Sequence, residues 1–466
     1  VKPYSKFILD SMLWIPRQEI RDLDRAKKLL TVASRFDKSV QIETFIERED
    51  FFGVPRNYFD KDYQNLASEI IDNRSEGSKS EWSLACQFWP GQREVLQAFA
   101  DHLFKGKSHF TLQAPPGFGK TVCLIMMLKA IGRTALVIVP KSDLVNQWRK
   151  ELLVRTDLSE DRIGTVAGRI ADWQQKDIVI GLIHTLVLNK LGDDFNRRFG
   201  VIVADEADRS VPPETFAPSL ALFPAKYRIA ASATLRRPDG LHKVFNLGIG
   251  GVLVKGQNLN RMTAQVLVVN YECSSGYIHM ESERMKRRGM LISRLAFNPS
   301  RNFAIAHYTD KMHRTGRRVA VLSDRIAQLE WIKKFLIIDF KTDPAKIGFY
   351  ADQIPVETDK RGKVIKKRKS KPEELVGVLK NSSIILATYN MMGVGTDIPD
   401  LAGLVFGTPQ SFIEQKCGRV ERMMEGKQQP LIVDIVDLKY EDAVAWAKRR
   451  VRYYKKHNMK IKSVKG

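Results

Sequence analysis

Cysteine is scarce. Cys86, Cys123, Cys273 and Cys417 are scattered through 466 residues, with no C-x-x-C pair among them. That argues against a zinc module or a disulfide framework and fits a reducing cytoplasm. No apolar run is long enough to span a bilayer, which takes about 20 residues, and the N-terminal stretch lacks a signal-peptide pattern. The expectation is a soluble, cytoplasmic protein with no membrane partner. Acid is in short supply as well: 53 Asp and Glu stand against 76 Lys and Arg, a net charge of +23. Such an imbalance predicts attraction to a polyanion, most often nucleic acid, through strongly salt-dependent contacts.

What is present is enough for two to three domains, with a hydrophobic content of 44% to build their cores. The stretch that organises the rest begins with the apolar strand Phe110-Thr111-Leu112-Gln113. It runs into Ala114-Pro115-Pro116-Gly117-Phe118-Gly119, and Lys120-Thr121 then opens an apolar helix through Leu128. Phosphate binding needs this build. Glycines let backbone N–H groups close around a β-phosphate, and the helix N-terminus adds partial positive charge. Lys120 can reach β- and γ-phosphates, and the Thr121 hydroxyl can hold Mg²⁺. Ala114 stands where the general pattern G-x-x-x-x-G-K-[ST] has its first glycine.

Residues 1–80 hold no catalytic motif. Phe7 to Ile15 reads as a strand, Ile20, Leu23, Leu29 and Leu30 as a helix face, and Val40, Ile42, Thr44 and Ile46 as a half-buried strand. This predicts a small α+β accessory domain, either a DNA grip or a structural module, followed by a linker over Asp72 to Ser80. From residue 81 to 270 short apolar runs alternate with helical segments, the pattern of a parallel-sheet α/β domain. The expected strands are Ala135–Val139, Ile178–Ile183, Val201–Ala204 and Arg228–Ala231. A helical, charged stretch near Met280 to Ala296 precedes a second such domain over 271–466. There the expected strands are Val319–Ser323, Ile384–Thr388, Leu404–Gly407 and Leu431–Ile435. Two tandem α/β domains leave a cleft for a ligand. Lys360 to Lys371 carries eight Lys/Arg in twelve residues, with Gly362 as a hairpin turn. Lys448 to Lys465 carries nine, interleaved with Tyr453 and Tyr454, and reads as a basic C-terminal tail. Either can track phosphates or remain a solvated loop or tail.

The strand Val201–Ala204 ends in Asp205-Glu206-Ala207-Asp208. Downstream of a phosphate loop, an acidic pair at a strand's carboxyl end suits phosphoryl transfer: Asp205 to hold Mg²⁺, Glu206 to orient or deprotonate water. Ser232-Ala233-Thr234 follows another apolar strand and can hydrogen-bond to the acidic motif. Gly393-Val394-Gly395-Thr396-Asp397 follows Ile384–Thr388. Beyond it lies Gln415-Lys416-Cys417-Gly418-Arg419-Val420-Glu421-Arg422. In a helix, Arg419 and Arg422 share a face, and their guanidinia can stabilise a γ-phosphate in the arginine-finger role.

In this order the motifs resemble those of the superfamily 2 helicases and translocases, over roughly Phe88 to Asp437. Gln92 resembles the adenine-reading glutamine and Ala114 to Thr121 motif I. Val139-Pro140 with Leu144 to Trp148 resembles motif Ia, Gly181 to Leu186 motif Ib, Asp205 to Asp208 motif II and Ser232 to Thr234 motif III. Val319 to Arg325, Thr388 to Asp397 and Gln415 to Arg422 resemble motifs IV, V and VI. The literal D-E-A-D suggests a DEAD-box RNA helicase, but that family's Pro-Thr-Arg-Glu-Leu and Thr-Pro-Gly-Arg segments are absent, and Gln415 stands where it has His. The segments around Trp148 and Ser232 to Gly240 are similar instead to the duplex-DNA-tracking branch of phage UvsW, RecG and the XPB-type translocases. Length and the small N-terminal module are most similar to the phage members, such as branch-migration helicases of T5-like phages.

The resemblance implies two RecA-like domains with ATP and Mg²⁺ between them. It assigns phosphate and nucleotide to Pro116, Gly117, Phe118, Gly119, Lys120 and Thr121, and metal to Thr121 and Asp205. Gln92 would read adenine, Glu206 would position water, Gly395 and Asp397 would meet nucleotide, and Arg419 and Arg422 would complete the site. The implied activity is ATP-driven 3′ to 5′ tracking on duplex or branched DNA through backbone contacts, by a monomer in the host cytoplasm if phage-encoded. An RNA helicase or a motor subunit of a restriction-type complex remain the alternatives.

Overall fold

Apolar runs too short for helices become the strands of two parallel sheets, and the helices between them cover both faces. The computed structural model describes residues 4–59, 67–115, 117–189, 191–206, 213–233, 237, 239–256, 261–272, 284–358, 364–392, 398–411 and 413–466. The chain divides into two compact units, Val1–Leu259 and Asn260–Gly466. A boundary at 270 is corrected by the strand Gln265–Tyr271, which pairs in parallel with Leu431–Asp437 and so belongs to the second unit. Its apolar pattern continues that of the first domain, but its partners lie far along the chain.

In the first unit the strand order is Ile170–Asp172, Ile163–Ala167, Ile178–Leu182, Ala135–Val139, Val201–Asp205, Tyr227–Ser232, His109–Gln113 and Val254–Lys255. Only the edge strand Ile170–Asp172 runs antiparallel to its neighbour. Asp205 pairs with Ala231 and Ser232 with Gln113, so three carboxyl ends lie side by side. That edge is where open α/β sheets bind ligands. The helix Lys120–Ile131 is buried from Val122 through Leu128, as its all-round apolar sequence requires, and Gly132 closes it with a left-handed turn.

The N-terminal module is α+β. Its sheet runs Ile46–Glu47, Phe51–Val54, Leu13–Pro16, Tyr4–Leu9 and Ala67–Asp72, with the helix Leu23–Leu30 beside it. The single strand expected over Phe7 to Ile15 is two, turning back so that Leu9 faces Leu13. Two buried arginines sew the module to the first α/β sheet. Arg56 Nη1 donates to Ala225 O at 2.7 Å, and Arg228 Nη2 donates to Ser11 O at 2.7 Å and Leu220 O at 2.9 Å. The expected linker Asp72 to Ser80 is corrected too. Ser75 N–H donates to Pro224 O at 2.9 Å, Ser78 N–H to Thr134 Oγ1 at 3.1 Å, and Ser80 Oγ to Asp177 Oδ1 at 2.6 Å. Gly77 (φ +64°) passes so close that a Cβ there would sit 2.3 Å from Gly200 N. The small polar residues of this segment make it a laced seam.

The second sheet is wholly parallel: Ile347–Tyr350, Ile384–Thr388, Arg318–Ser323, Leu401–Phe406, Leu431–Asp437, Gln265–Tyr271 and Lys460–Lys465. The basic C-terminal tail is corrected, because Glu441–Lys456 is a helix and Lys460–Lys465 an edge strand. Arg450 and Tyr454 point inward, not toward phosphates. Arg450 Nη2 lies 2.8 Å from Asp434 Oδ1, Tyr454 Oη donates to Asp434 Oδ2 at 2.9 Å, and both members of the ion pair are fully buried. Arg450→Met leaves the Asp434 charge buried without its cation, so denaturant unfolding should show a loss of about 3–5 kcal/mol. Arg450→Met with Asp434→Leu should recover most of it. Wild-type stability in the single variant would return this helix to the periphery.

Candidate nucleotide site

The phosphate loop leaves the strand His109–Gln113 and enters the helix Lys120–Ile131 through left-handed turns at Gly117 (φ +81°) and Gly119 (φ +85°). Gln92 fixes the loop from the side. Buried near the start of the helix Pro90–Phe104, its Nε2 donates to Phe118 O at 3.0 Å and its Oε1 accepts from Trp89 N–H at 3.2 Å. A Cβ on Gly119 would lie 2.3 Å from that Nε2, so both the backbone angle and the clamp exclude a side chain there. The loop's own strand end is tied by Ala114 N–H to Ser232 O at 3.0 Å. Thr121 follows Lys120 on the first turn of the helix, half-buried.

Opposite the loop, Asp205 ends an entirely buried strand. Its Oδ2 accepts from Trp148 Nε1 at 2.8 Å and its Oδ1 from the Glu206 N–H at 2.9 Å. Burial, and then repulsion from Glu206, push this carboxyl up to about 6, while Lys120 and the Trp148 N–H pull it back. Glu206 sits at φ +51°, a strained position for a residue with a side chain. That conformation turns it toward the loop, where its Oε1 lies 3.3 Å from Lys120 Nζ and both side chains are largely shielded. Glu206 Oε2 is buried without a hydrogen-bond partner. Gln92, Gly117, Phe118, Gly119, Lys120, Asp205 and Glu206 thus cluster at one sheet edge. Pro116, Ala207, Asp208 and Thr234 lie outside the described residues.

In the second unit, Arg419 lies in the last turn of the short helix Glu414–Val420, and Arg422 lies just beyond its end. The two do not share a helical face as expected, because Arg422 is drawn into a backbone bridge with Arg261. Between them Glu421 is fully buried, accepting from Ala264 N–H at 3.4 Å and pairing with Arg261 at 3.4 Å. Lys427 completes the anchorage. Its ammonium donates to Pro399 O at 3.0 Å and to Val420 O and Arg422 O at 2.8 Å each, and burial with repulsion from Arg422 draws it down to about 8. Gly395 and Asp397 lie outside the described residues.

Two of these contributors are missed by sequence reasoning as site residues. Trp148 reads only as the end of the motif Ia-like segment Leu144 to Trp148, and in the structure it is buried on one helix with Leu144, Val145 and Leu152. Its indole N–H is the added feature, and a buried Trp needs an acceptor. Lys427 lies among glutamines with no pattern to flag it. Mg²⁺ fits the donors present: a buried carboxylate, the Thr121 hydroxyl and the orphaned Glu206 oxygen. No cluster of three or more His, Cys, Asp or Glu occurs among the described residues.

Residues 85–237 match the family model of the type III restriction enzyme res subunit. The chain is 24% identical to a protein of Acanthamoeba polyphaga mimivirus named as an ATP-dependent RNA helicase, over 93% of this chain and 80% of that one. It is 24% identical to helicase D10 of Escherichia phage T5, over 75% and 72%. Residues 85–237 thus carry a helicase domain of that family, and the chain is similar to superfamily 2 helicases. That likeness implies an ATP-hydrolysing helicase. A further relative, the DNA 3′–5′ translocase XPB2 of Sulfurisphaera tokodaii, is 21% identical over 69% of this chain and 76% of its own. Two RecA-like helicase domains are the fold of the solved relatives as well. The RNA-bound Mss116p aligns with a TM-score of 0.54 at 16% identity, over 81% of this chain and 74% of that one. The DNA-bound restriction-modification enzyme LlaBIII gives 0.54 at 14%, over 82% and 31%. No described helix of this chain is long and apolar enough to cross a membrane.

Protons and Mg²⁺ would compete for the Asp205 carboxylate, so ATPase at limiting Mg²⁺ should fall as pH drops toward about 6. Trp148→Phe keeps the ring but removes the N–H that favours the carboxylate. Its acid limb should move to higher pH, and the Mg²⁺ needed for half-maximal rate should rise several-fold. An unmoved limb with only a lowered melting temperature would make Trp148 a packing residue and nothing more.

Proposed function

We propose that this helicase is an ATP-driven motor that tracks on DNA, 3′ to 5′, and remodels branched DNA such as forks and Holliday junctions. The observation that carries this reading is the bond from Trp148 to Asp205. It joins the segment that is similar to the duplex-tracking branch directly to the acidic residue of the nucleotide site. The 3′–5′ DNA translocase named among the relatives supports the same polymer and polarity. The large positive charge supplies the general attraction, and backbone contacts would carry no sequence information. The RNA helicase named among the relatives makes RNA the second reading.

In the proposed chemistry the loop amides of Gly117 to Lys120 take the β-phosphate. A γ-phosphate oxygen competes with Glu206 for the Lys120 ammonium, which now lies 3.3 Å from Oε1. Once Lys120 moves to phosphate, both Glu206 oxygens are available to orient and deprotonate the attacking water. Thr121 and Asp205 would hold Mg²⁺, which when bound neutralises charge on the phosphate oxygens. Gln92 keeps the loop in shape and borders the base, Gly395 and Asp397 meet the nucleotide, and Arg419 and Arg422 stabilise the γ-phosphate. Polymer bound to the motor then sets the rate of turnover.

Lys120→Ala and Glu206→Gln should abolish ATP turnover while DNA binding persists. Arg422→Ala should keep nucleotide binding and lose DNA-stimulated hydrolysis. Wild-type turnover in the first two would sink the site assignment, and loss of nucleotide binding in the third would make Arg422 structural. The polymer is tested by ATPase rates with four-way junction, duplex DNA, single-stranded DNA and structured RNA, using Lys120→Ala as blank. Strongest stimulation by the junction is expected. Strongest stimulation by RNA would replace the DNA reading with the RNA one.

A further inference from the structure

One part of the second unit takes no share in nucleotide chemistry. Gln353–Thr358 and Val364–Lys369 pair antiparallel as a two-stranded ribbon that no third described strand joins. It is inserted between the sheet strand Ile347–Tyr350 and the helix Pro372–Asn381. Such a ribbon is marginal alone, and here its base is fastened. Gln353–Thr358 packs along the helix Ile326–Ile338, and Ser370 N–H donates to Asp352 O at 2.9 Å. Arg368 grips Glu374 with both terminal nitrogens, at 2.7 and 2.8 Å. That pair, with the Lys371 N–H, holds the Glu374 carboxyl down at about 2.

Arg368 is therefore committed to holding the ribbon. Lys366, Lys367 and Lys369 are not: all three are exposed, and none has an ion-pair partner among the described residues. Strand alternation sends Lys367 and Lys369 to one face of the ribbon and Lys366 to the other. Glu357 stands opposite Lys366 in the register, but Lys367 and Lys369 face Pro355 and Gln353, which offer them no charge. A run of cations kept on both faces of a fastened, outward strand calls for a partner with anions on both sides of it.

We infer that this ribbon is a duplex-DNA contact, with the strand Val364–Lys369 seated along the major groove and its three lysines on the flanking phosphates. The B-form major groove, about 12 Å wide, admits a two-stranded ribbon. The A-form major groove of duplex RNA is too narrow for one. Lysine is a point charge without a bidentate fork, so the contact grips the backbone and reads no bases. That suits a motor that must pass any sequence. The inference rests on the DNA-motor reading and names where that motor holds the duplex ahead of or behind it.

The test is the triple variant Lys366→Gln, Lys367→Gln, Lys369→Gln. Binding would be measured by anisotropy over a range of salt, on duplex DNA, duplex RNA and single-stranded DNA, beside ATPase with and without DNA. The variant should bind duplex DNA about tenfold or more weakly at moderate salt, with the slope of log K against log salt shallower by about 0.9 for each phosphate no longer neutralised. Duplex RNA binding and DNA-free ATPase should be unchanged, the latter also reporting that the fold is intact. An unchanged duplex-DNA slope overturns the inference, and so does an equal loss for all three polymers, which is the mark of a general field. Wild-type ATPase stimulation by DNA separates the two failures. If stimulation is present and the variant binds as wild type does, only the ribbon assignment falls. If no DNA stimulates the wild type, the motor reading falls first.

Discussion

Two N–H groups converge on one carboxylate at the end of a strand that is otherwise apolar, and much of the first unit is arranged so that they can. The indole of Trp148 comes from a helix 57 residues earlier in the chain than Asp205, and the backbone N–H of Glu206 comes from the next residue. A buried carboxylate without donors would take up a proton and cease to attract a cation. With them, and with Lys120 nearby, the upward push of burial is held to about 6. The strained turn at Glu206 follows from the same requirement, since one residue must both give its N–H to Asp205 and turn its side chain to Lys120. Gln92 does for the loop what Trp148 does for the acid: a buried polar side chain fixes a backbone that must stay open to phosphate.

The second unit solves the same problem with charge pairs. Arg301 meets Asp437 at 2.7 Å and Arg450 meets Asp434 at 2.8 Å, all four fully or almost fully buried. Gln410 donates to both Asp324 oxygens, at 3.1 and 2.9 Å, and Thr408 adds a third bond at 3.1 Å. These groups line the carboxyl ends of neighbouring strands. Buried pairs are weak sources of net stability, but mispairing them is costly, so they fix which loop lies against which strand. Lys427 extends this to the arginine-bearing turn with three carbonyls around one ammonium.

The parallel strands were legible because burial on both faces writes them as plain apolar runs, and Ile384–Thr388 is found where it is expected. The phosphate loop and the acidic pair were legible because their chemistry demands fixed residue types at fixed spacing. Three features were not, and for one reason. Ser75, Ser78 and Ser80 look like a solvated linker, Arg450 and Tyr454 like a nucleic-acid-binding tail, and Trp148 like part of motif Ia with no stated partner. In each case composition names the polar group but not its partner, and the partner lies elsewhere along the chain: Pro224 for Ser75, Thr134 for Ser78, Asp434 for Arg450, Asp205 for Trp148. Arg422 shows the complementary error, where helical spacing is right for the residues but the helix stops first.

The seam between the N-terminal module and the first sheet bears on inheritance. Ser11 supplies a carbonyl to Arg228, Ala225 supplies one to Arg56, and Arg35 N–H donates to Asp239 O at 2.8 Å, so donors and acceptors are shared across it in both directions. Neither side can drift alone: a changed arginine on one strands a carbonyl on the other. A module attached by a loose tether can be traded between motors as a cassette. This one can be exchanged only with the matching edge of its sheet, and so the two should descend through a lineage as a single unit of selection.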